Sequence, residues 1–347
     1  MFRRLPVLPA ILLATACAGP DAPGSADANP VDRGARLRVL LGAVAHDSTL
    51  GRVTGRPETR EVADFLAADL AASGVEPGWE GSFLQPVPLA RVGEEGRLAL
   101  PSASLSLDTL PAERLLDEEV NVVGIIPGSD PELREEAVVL GAHYDHVGVG
   151  PPVDGDSIYN GADDDASGTV AVLEIARSLA AAPPRRSVVI LLSAAEEQGL
   201  LGTRWYLENP AVSLERTVAD FQIEMIGRPD SLAGGPGHGW LTGYGRTTMG
   251  AQLAEAGSPI VPDPRPEMRF FFRSDNLPFA EAGIPAHTLS SYGLHEDYHQ
   301  PSDEVERIDF AHLTALVDAA EEAVRLLADG ATPAWTEGGR EGLDPPP

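Results

Sequence analysis

Ala137-Val138-Val139-Leu140-Gly141-Ala142-His143-Tyr144-Asp145 is the stretch on which the fold turns. An unbroken apolar run leads straight into polar groups, with no alternation to mark a solvent face. Such a run is a strand covered on both sides. The pattern recurs: Ser187 to Leu192 runs into Ser193-Ala194-Ala195-Glu196-Glu197, and Val218 to Met225 ends in Ile223-Glu224-Met225. A fourth run, Ile284 to Ser290, is followed by Tyr298-His299-Gln300-Pro301-Ser302-Asp303. Helical spacing separates them. Ser167 to Ala181 turns Val170, Val172, Leu173, Ile175 and Ala176 toward a core, Gly199 to Glu208 reads as a helix, and Phe310 to Ala328 closes the chain. Upstream, residues 34–46 and 58–73 read as helices and Asn121 to Ile126 as a strand stopped by Pro127-Gly128. A Gly/Pro/Asp loop spans about 148–161. Strands alternating with helices give an α/β fold whose central sheet is covered by helices on both faces.

Composition narrows the chemistry. The chain has 347 residues, 25 basic and 53 acidic side chains and a net charge of -28. Every basic residue is arginine, which excludes a P-loop lysine, a lysine Schiff base and a kinase-type lysine. The negative balance argues against nucleic acid as a partner, since a phosphate backbone demands a basic footprint. One cysteine, Cys17, rules out disulfide frameworks and thiolate metal sites.

Arg3 and Arg4 precede an apolar run from Leu5 to Ala16, too short to span a bilayer and shaped like a signal peptide. Cys17 follows Ala14-Thr15-Ala16, an arrangement that resembles a bacterial lipoprotein box. The expectation is a leader over 1–17 lipidated at Cys17, a flexible tether over 18–33, one domain over 34–328 and a disordered tail over 329–347. That places the protein in the cell envelope, on the periplasmic side of the outer membrane, touching membrane through its lipid alone. The alternative is ordinary cleavage near Ala16 and secretion.

Open α/β sheets bind ligands at the carboxyl ends of their strands. Here those ends carry His143, Glu196, Glu197, Glu224 and His299, beside Asp163-Asp164-Asp165 at a helix start. Carboxylates so gathered repel one another unless cations resolve the charge. Histidine with carboxylate and no thiolate suits catalytic zinc, with manganese or cobalt as substitutes. Glu196 and Glu197 are adjacent and point apart, so one can ligate while the other faces a water as general base. Asp145 stands two residues from His143, within reach of its second ring nitrogen.

These blocks resemble peptidase family M28, the co-catalytic zinc peptidases, mostly aminopeptidases. The resemblance rests on Gly141-Ala142-His143-Tyr144-Asp145, Asn160 to Gly168, Ala195-Glu196-Glu197, Glu224-Met225-Ile226-Gly227, Ser274-Asp275 through Pro285, and Tyr298 to Asp303, covering roughly residues 34–328. It implies a mixed, mostly parallel sheet in an α/β/α sandwich and two zinc ions. His143 and Glu224 would complete one site, Glu197 and His299 the other, and Asp164 would bridge. Glu196 would be the base that activates the water between the metals, Asp145 would orient His143, and Tyr298 would steady the tetrahedral intermediate. Aspartate is common in the family where Glu224 stands. The implied activity is release of N-terminal residues from peptides with free N-termini. A non-catalytic envelope binding protein and one-zinc glutaminyl cyclase chemistry are the alternatives.

Other features carry blander readings. His46, His146, His238, His287 and His312 read as structural or surface groups, and Ser274-Asp275 as the cap of a following helix. His295-Glu296-Asp297-Tyr298-His299 matches the H-E-x-x-H pattern, which works only on a helix. Gly293 and Pro301 bracket it and leave little room for one.

Overall fold

The computed structural model describes residues 32–116 and 119–343. The leader, Cys17 and nearly all of the expected tether lie outside the described residues. The first helix, expected from residue 34, begins at Arg33: the Asp32 side chain accepts the Gly34 N–H at 3.1 Å and caps it.

The chain opens with α1 (Arg33–Val44), α2 (Pro57–Ala72), β1 (Glu76–Pro77) and β2 (Leu84–Pro86). A small separate sheet follows, made of β3 (Leu89–Val92), β4 (Arg97–Ala99) and β5 (Leu115–Leu116). Next come β6 (Val120–Ile126), β7 (Ala137–His143), the ribbon β8 (Gly148–Val153) and β9 (Asp156–Tyr159), α3 (Gly168–Ala181), β10 (Ser187–Ser193), α4 (Leu201–Glu208) and β11 (Thr217–Ile223). The last part holds β12 (Gly239–Leu241), α5 (Met249–Glu255), β13 (Ile260–Pro262), α6 (Asn276–Glu281), β14 (Ala286–Ser290) and α7 (Phe310–Asp329).

The main sheet has the order β1-β6-β10-β7-β11-β14-β12-β13, with β2 also on β6. Its centre, β10, β7, β11 and β14, is parallel, while β6 and β12 run against it. The mixed, mostly parallel sheet is therefore the one expected. Leu140 stands opposite both Ile190 and Phe221, so apolar rows cross the sheet. Val138, Leu140, Val188, Ile190 and Leu192 face one layer with Leu41, Leu173 and Leu316. Val139, Val189 and Leu191 face the other with Tyr206, Phe279 and Ile284. Alternate residues meet opposite layers of apolar atoms, which is why these strands show no polar face.

Two expectations are corrected. The stretch 148–161 is not irregular throughout: Val153 pairs with Asp156 across Asp154-Gly155, whose φ angles are 52° and 95°. An Asp-Gly pair is a hairpin signal, and it closes β8 onto β9. The tail over 329–347 is ordered as far as Leu343. The Trp335 indole N–H donates to the Gly283 carbonyl at 2.8 Å, and Trp335 and Leu343 pack on the layer of Phe279 and Ile284. A tryptophan that covers apolar surface outweighs the freedom of the glycines around it. Among the described residues no helix is long and apolar enough to cross a membrane.

His287 is structural, as read. It is fully buried on β14, hydrogen-bonded through Nδ1 to the Thr242 carbonyl and through Nε2 to the Thr247 hydroxyl, each at 2.7 Å. Burial pulls its pKa down to about 4. The unfolded chain binds this proton below about pH 6.5 and the folded one does not, so acid destabilises the fold by up to about 1.4 kcal/mol per pH unit across that window. Ring carbon shifts followed by NMR are expected to keep His287 neutral at about pH 5. A midpoint at the ordinary histidine value would contradict this.

Candidate metal centre

The parallel strands β10, β7, β11 and β14 end on one edge, and the polar residues that follow them converge there. His143 closes β7, Glu196 and Glu197 lie in the turn after β10, and Glu224 is the next residue after β11. Asp164 comes from the irregular turn before α3, and His299 from the loop after β14. Asp164 is the hinge of the arrangement. Its Oδ1 is 3.5 Å from His143 Nε2, and its Oδ2 is 3.1 Å from His299 Nε2. His299 Nε2 is also 3.0 Å from Glu197 Oε1. Two donor groups result: His143, Asp164 and Glu224 lie within 4.8 Å of one another, and so do His146, Asp164, Glu197 and His299. A shared carboxylate between two nitrogen and oxygen sets fits two divalent cations, with no thiolate to favour a softer metal.

The flanking aspartates serve the backbone. Asp163 accepts the Gly227 N–H at 2.7 Å and pairs with His295 Nε2 at 2.9 Å, and Asp165 accepts the Gly168 and Met225 N–H groups at 3.0 Å. Gly161 sets up the approach of Asp164. Its φ is +57°, and a Cβ there would stand 2.2 Å from the Asp164 carbonyl and 2.5 Å from the His146 ring. Asp145 acts differently from the expectation. His143 Nδ1 hydrogen-bonds the Asp145 main-chain oxygen at 3.1 Å and stands 3.8 Å from its carboxylate. That carboxylate instead accepts the Glu196 N–H at 3.0 Å and the Thr54 hydroxyl at 3.2 Å, fixing the turn that carries both glutamates.

Beneath the centre lies Arg52, fully buried with a φ of 50°. Its guanidinium donates to the Tyr144, Asn160 and Gly161 carbonyls at 2.7, 2.5 and 2.9 Å. One side chain from the α1–α2 connection thus ties together the loops that carry His143 and Asp164.

The charges describe a site built for cations. Burial works against ionisation of Asp164, but hydrogen bonds with His143 and His299 hold its carboxyl well below the usual range. Burial and the charge of Asp164 work to raise Glu197, and the hydrogen bonds from His146 and His299 still hold it low. Burial would lower His299, yet Asp164 and Glu197 push it up to about 10. His143 and His299, both raised by the carboxylates around them, carry protons that a divalent cation displaces on binding. Glu196 is held well above the carboxylate range by burial and by the charges of Glu224, Asp275 and Glu197, against the pull of His143.

Glu196, Glu197, Glu224, Asp164, Arg273 and Tyr298 line one open cleft. The Tyr298 ring stacks on His299 with centroids 4.0 Å apart, and burial and the charges of Asp164 and Glu197 raise its hydroxyl, so it stays a neutral donor. A second cavity opens beside Glu224, walled by Met225, Trp240, Phe270 and Tyr292.

Residues 295–299 form a turn, and their two histidines part company: His295 goes to Asp163 and His299 to Asp164 and Glu197. Asp275 is not the expected cap. Its backbone is already helical and its side chain makes no cap bond; it hydrogen-bonds the Ser193 hydroxyl at the end of β10. His146, read as structural, brings a ring nitrogen within the second donor group. Its one signal in the sequence is a place three residues after His143.

The sequence profile of peptidase family M28 matches residues 121–324. The chain belongs to peptidase family M28. Aminopeptidase YwaD of Bacillus subtilis is 27% identical over 225 residues, 59% of this chain and 44% of that protein. The M28 chain thus covers less than half the length of this relative. Among solved structures, BSAP, a zinc aminopeptidase from Bacillus subtilis, superposes with a TM-score of 0.59 at 15% identity over 85% of this chain and 95% of that one. Porphyromonas gingivalis glutaminyl cyclase superposes with a TM-score of 0.59 at 17% identity over 84% and 97%. At these identities both likenesses are likenesses of fold.

Proposed function

We propose that this protein is a zinc-dependent aminopeptidase that binds two ions and removes the first residue of peptides with a free N-terminus. The observation that carries the reading is the shared carboxylate of Asp164 between two donor groups, with Glu196 in the same cleft and in neither group. His143, Asp164 and Glu224 would hold one ion, and Asp164, Glu197 and His299 the other. Bound zinc supplies a Lewis acid for the scissile carbonyl and a water acidic enough to attack it.

Glu196 takes the proton of that water and passes it to the leaving amine. A carboxylate in the cleft that belongs to neither donor group is free for both transfers. Tyr298 donates to the oxygen on which charge develops. The carboxylates of the cleft favour a substrate with a free ammonium group, and the cavity beside Glu224, walled by Trp240 and Phe270 but also by Thr242 and Arg273, takes its first side chain. A signal peptide and lipidation at Cys17 would hold the enzyme in the envelope.

The test is amino-acid release from a peptide panel with free and acetylated N-termini, using zinc-loaded chain from about residue 18. Release from free termini alone is expected. Release from acetylated peptides would overturn the aminopeptidase assignment. Cyclisation of N-terminal glutamine without release would favour glutaminyl cyclase chemistry, and no turnover with no metal bound would favour a binding protein.

A further inference from the structure

His146 is fully buried, and its Nδ1 lies 3.1 Å from Glu197 Oε1 and 3.8 Å from Asp164 Oδ2. Those are the same two oxygens that His299 Nε2 approaches at 3.0 and 3.1 Å. The two rings meet edge to face with centroids 5.4 Å apart. Donors held about 2.0–2.1 Å from a tetrahedral zinc stand about 3.3 Å from each other, and the four separations bracket that value. The other ring nitrogen, Nε2, is buried without a partner, so the Asp164–Glu197 edge is what the ring engages. The Nδ1 atom hydrogen-bonds Glu197 and stands 3.8 Å from Asp164, so the same two carboxylates that His299 meets lie around it, and one cation would reach all four groups.

We infer that His146 is a fourth protein ligand, through Nδ1, of the metal held by Asp164, Glu197 and His299. The inference rests on the two-ion reading above. It makes the two positions unequal. The group of His146, Asp164, Glu197 and His299 supplies four protein donors and is closed on the protein side, as structural zinc sites are. The group of His143, Asp164 and Glu224 supplies three and keeps a position for exchange and for substrate. The closed position fills first and empties last.

Two measurements test this. In the wild-type protein loaded with an NMR-active cadmium isotope and nitrogen-labelled histidine, three imidazoles are expected to show metal–nitrogen coupling: His143, His146 and His299. Coupling at His143 and His299 alone overturns the inference and leaves the two-ion reading standing. No cadmium bound at all overturns that reading, and the inference with it. In the second measurement, His146→Ala is expected to weaken the tighter ion by more than about 100-fold in competition with a chelator, beyond the 10–100-fold that follows loss of an outer hydrogen-bond partner. A smaller loss makes His146 a hydrogen-bond partner of Glu197 and nothing more.

Discussion

Glu196→Gln is expected to lower turnover by about 10²–10⁴-fold while the protein keeps its metal. Glutamine preserves the volume of the side chain and removes its capacity to take a proton. The turn stays in place, because it is held through the Glu196 N–H on the Asp145 carboxylate and not through the Glu196 side chain. Neither donor group includes Glu196, so metal content should be unchanged by elemental analysis. Peptide turnover close to that of the parent protein would remove Glu196 from the chemistry. Loss of an ion would make it a ligand instead.

Asp164→Ala is the more drastic change. The two oxygens of Asp164 face different nitrogens, His143 on one side and His299 on the other, so one substitution opens both positions. Neither remaining set holds enough charge: His143 and Glu224 offer one carboxylate, and Glu197 with the two other histidines also offers one. Metal content is expected to fall below one equivalent and peptide hydrolysis to background. The rise in melting temperature that zinc gives the parent protein, a consequence of binding the folded state alone, should vanish with it. Two retained equivalents would move the shared carboxylate to Asp163 or Asp165. Their hydrogen bonds to Gly227, Gly168 and Met225 speak against that.

Much of this was legible in the sequence because the sheet is buried on both faces. Unbroken runs such as Val138 to Leu140 and Val188 to Leu192 are the imprint of two apolar layers, and the first polar residue after each run falls at the ligand-binding edge. The edges of the sheet were not legible. Gly239–Leu241 and Ile260–Pro262 are three-residue strands held by their neighbours, too short to leave a period. His146 escaped because its role depends on a bend after β7 that brings it beside Glu197, a residue 51 positions away. Arg52 escaped because arginines in an acidic chain are ordinarily solvated partners of carboxylates; this one is spent on main-chain carbonyls. Asp145 was placed near the right histidine, but the atom that meets the ring is its backbone oxygen, which no side-chain pattern records.

Arg52 has a further consequence. The stretch by which the family is recognised, 121–324, contains the ligand-bearing residues but begins well after Arg52 and stops short of Trp335. What descent marks most clearly and what must stay in one piece to work are different lengths of chain. A proteolytic cut between α1 and α2 would spare the ligand-bearing loops and still cut the chain that carries the guanidinium beneath them, so the enzyme is vulnerable at a point remote in sequence from its chemistry.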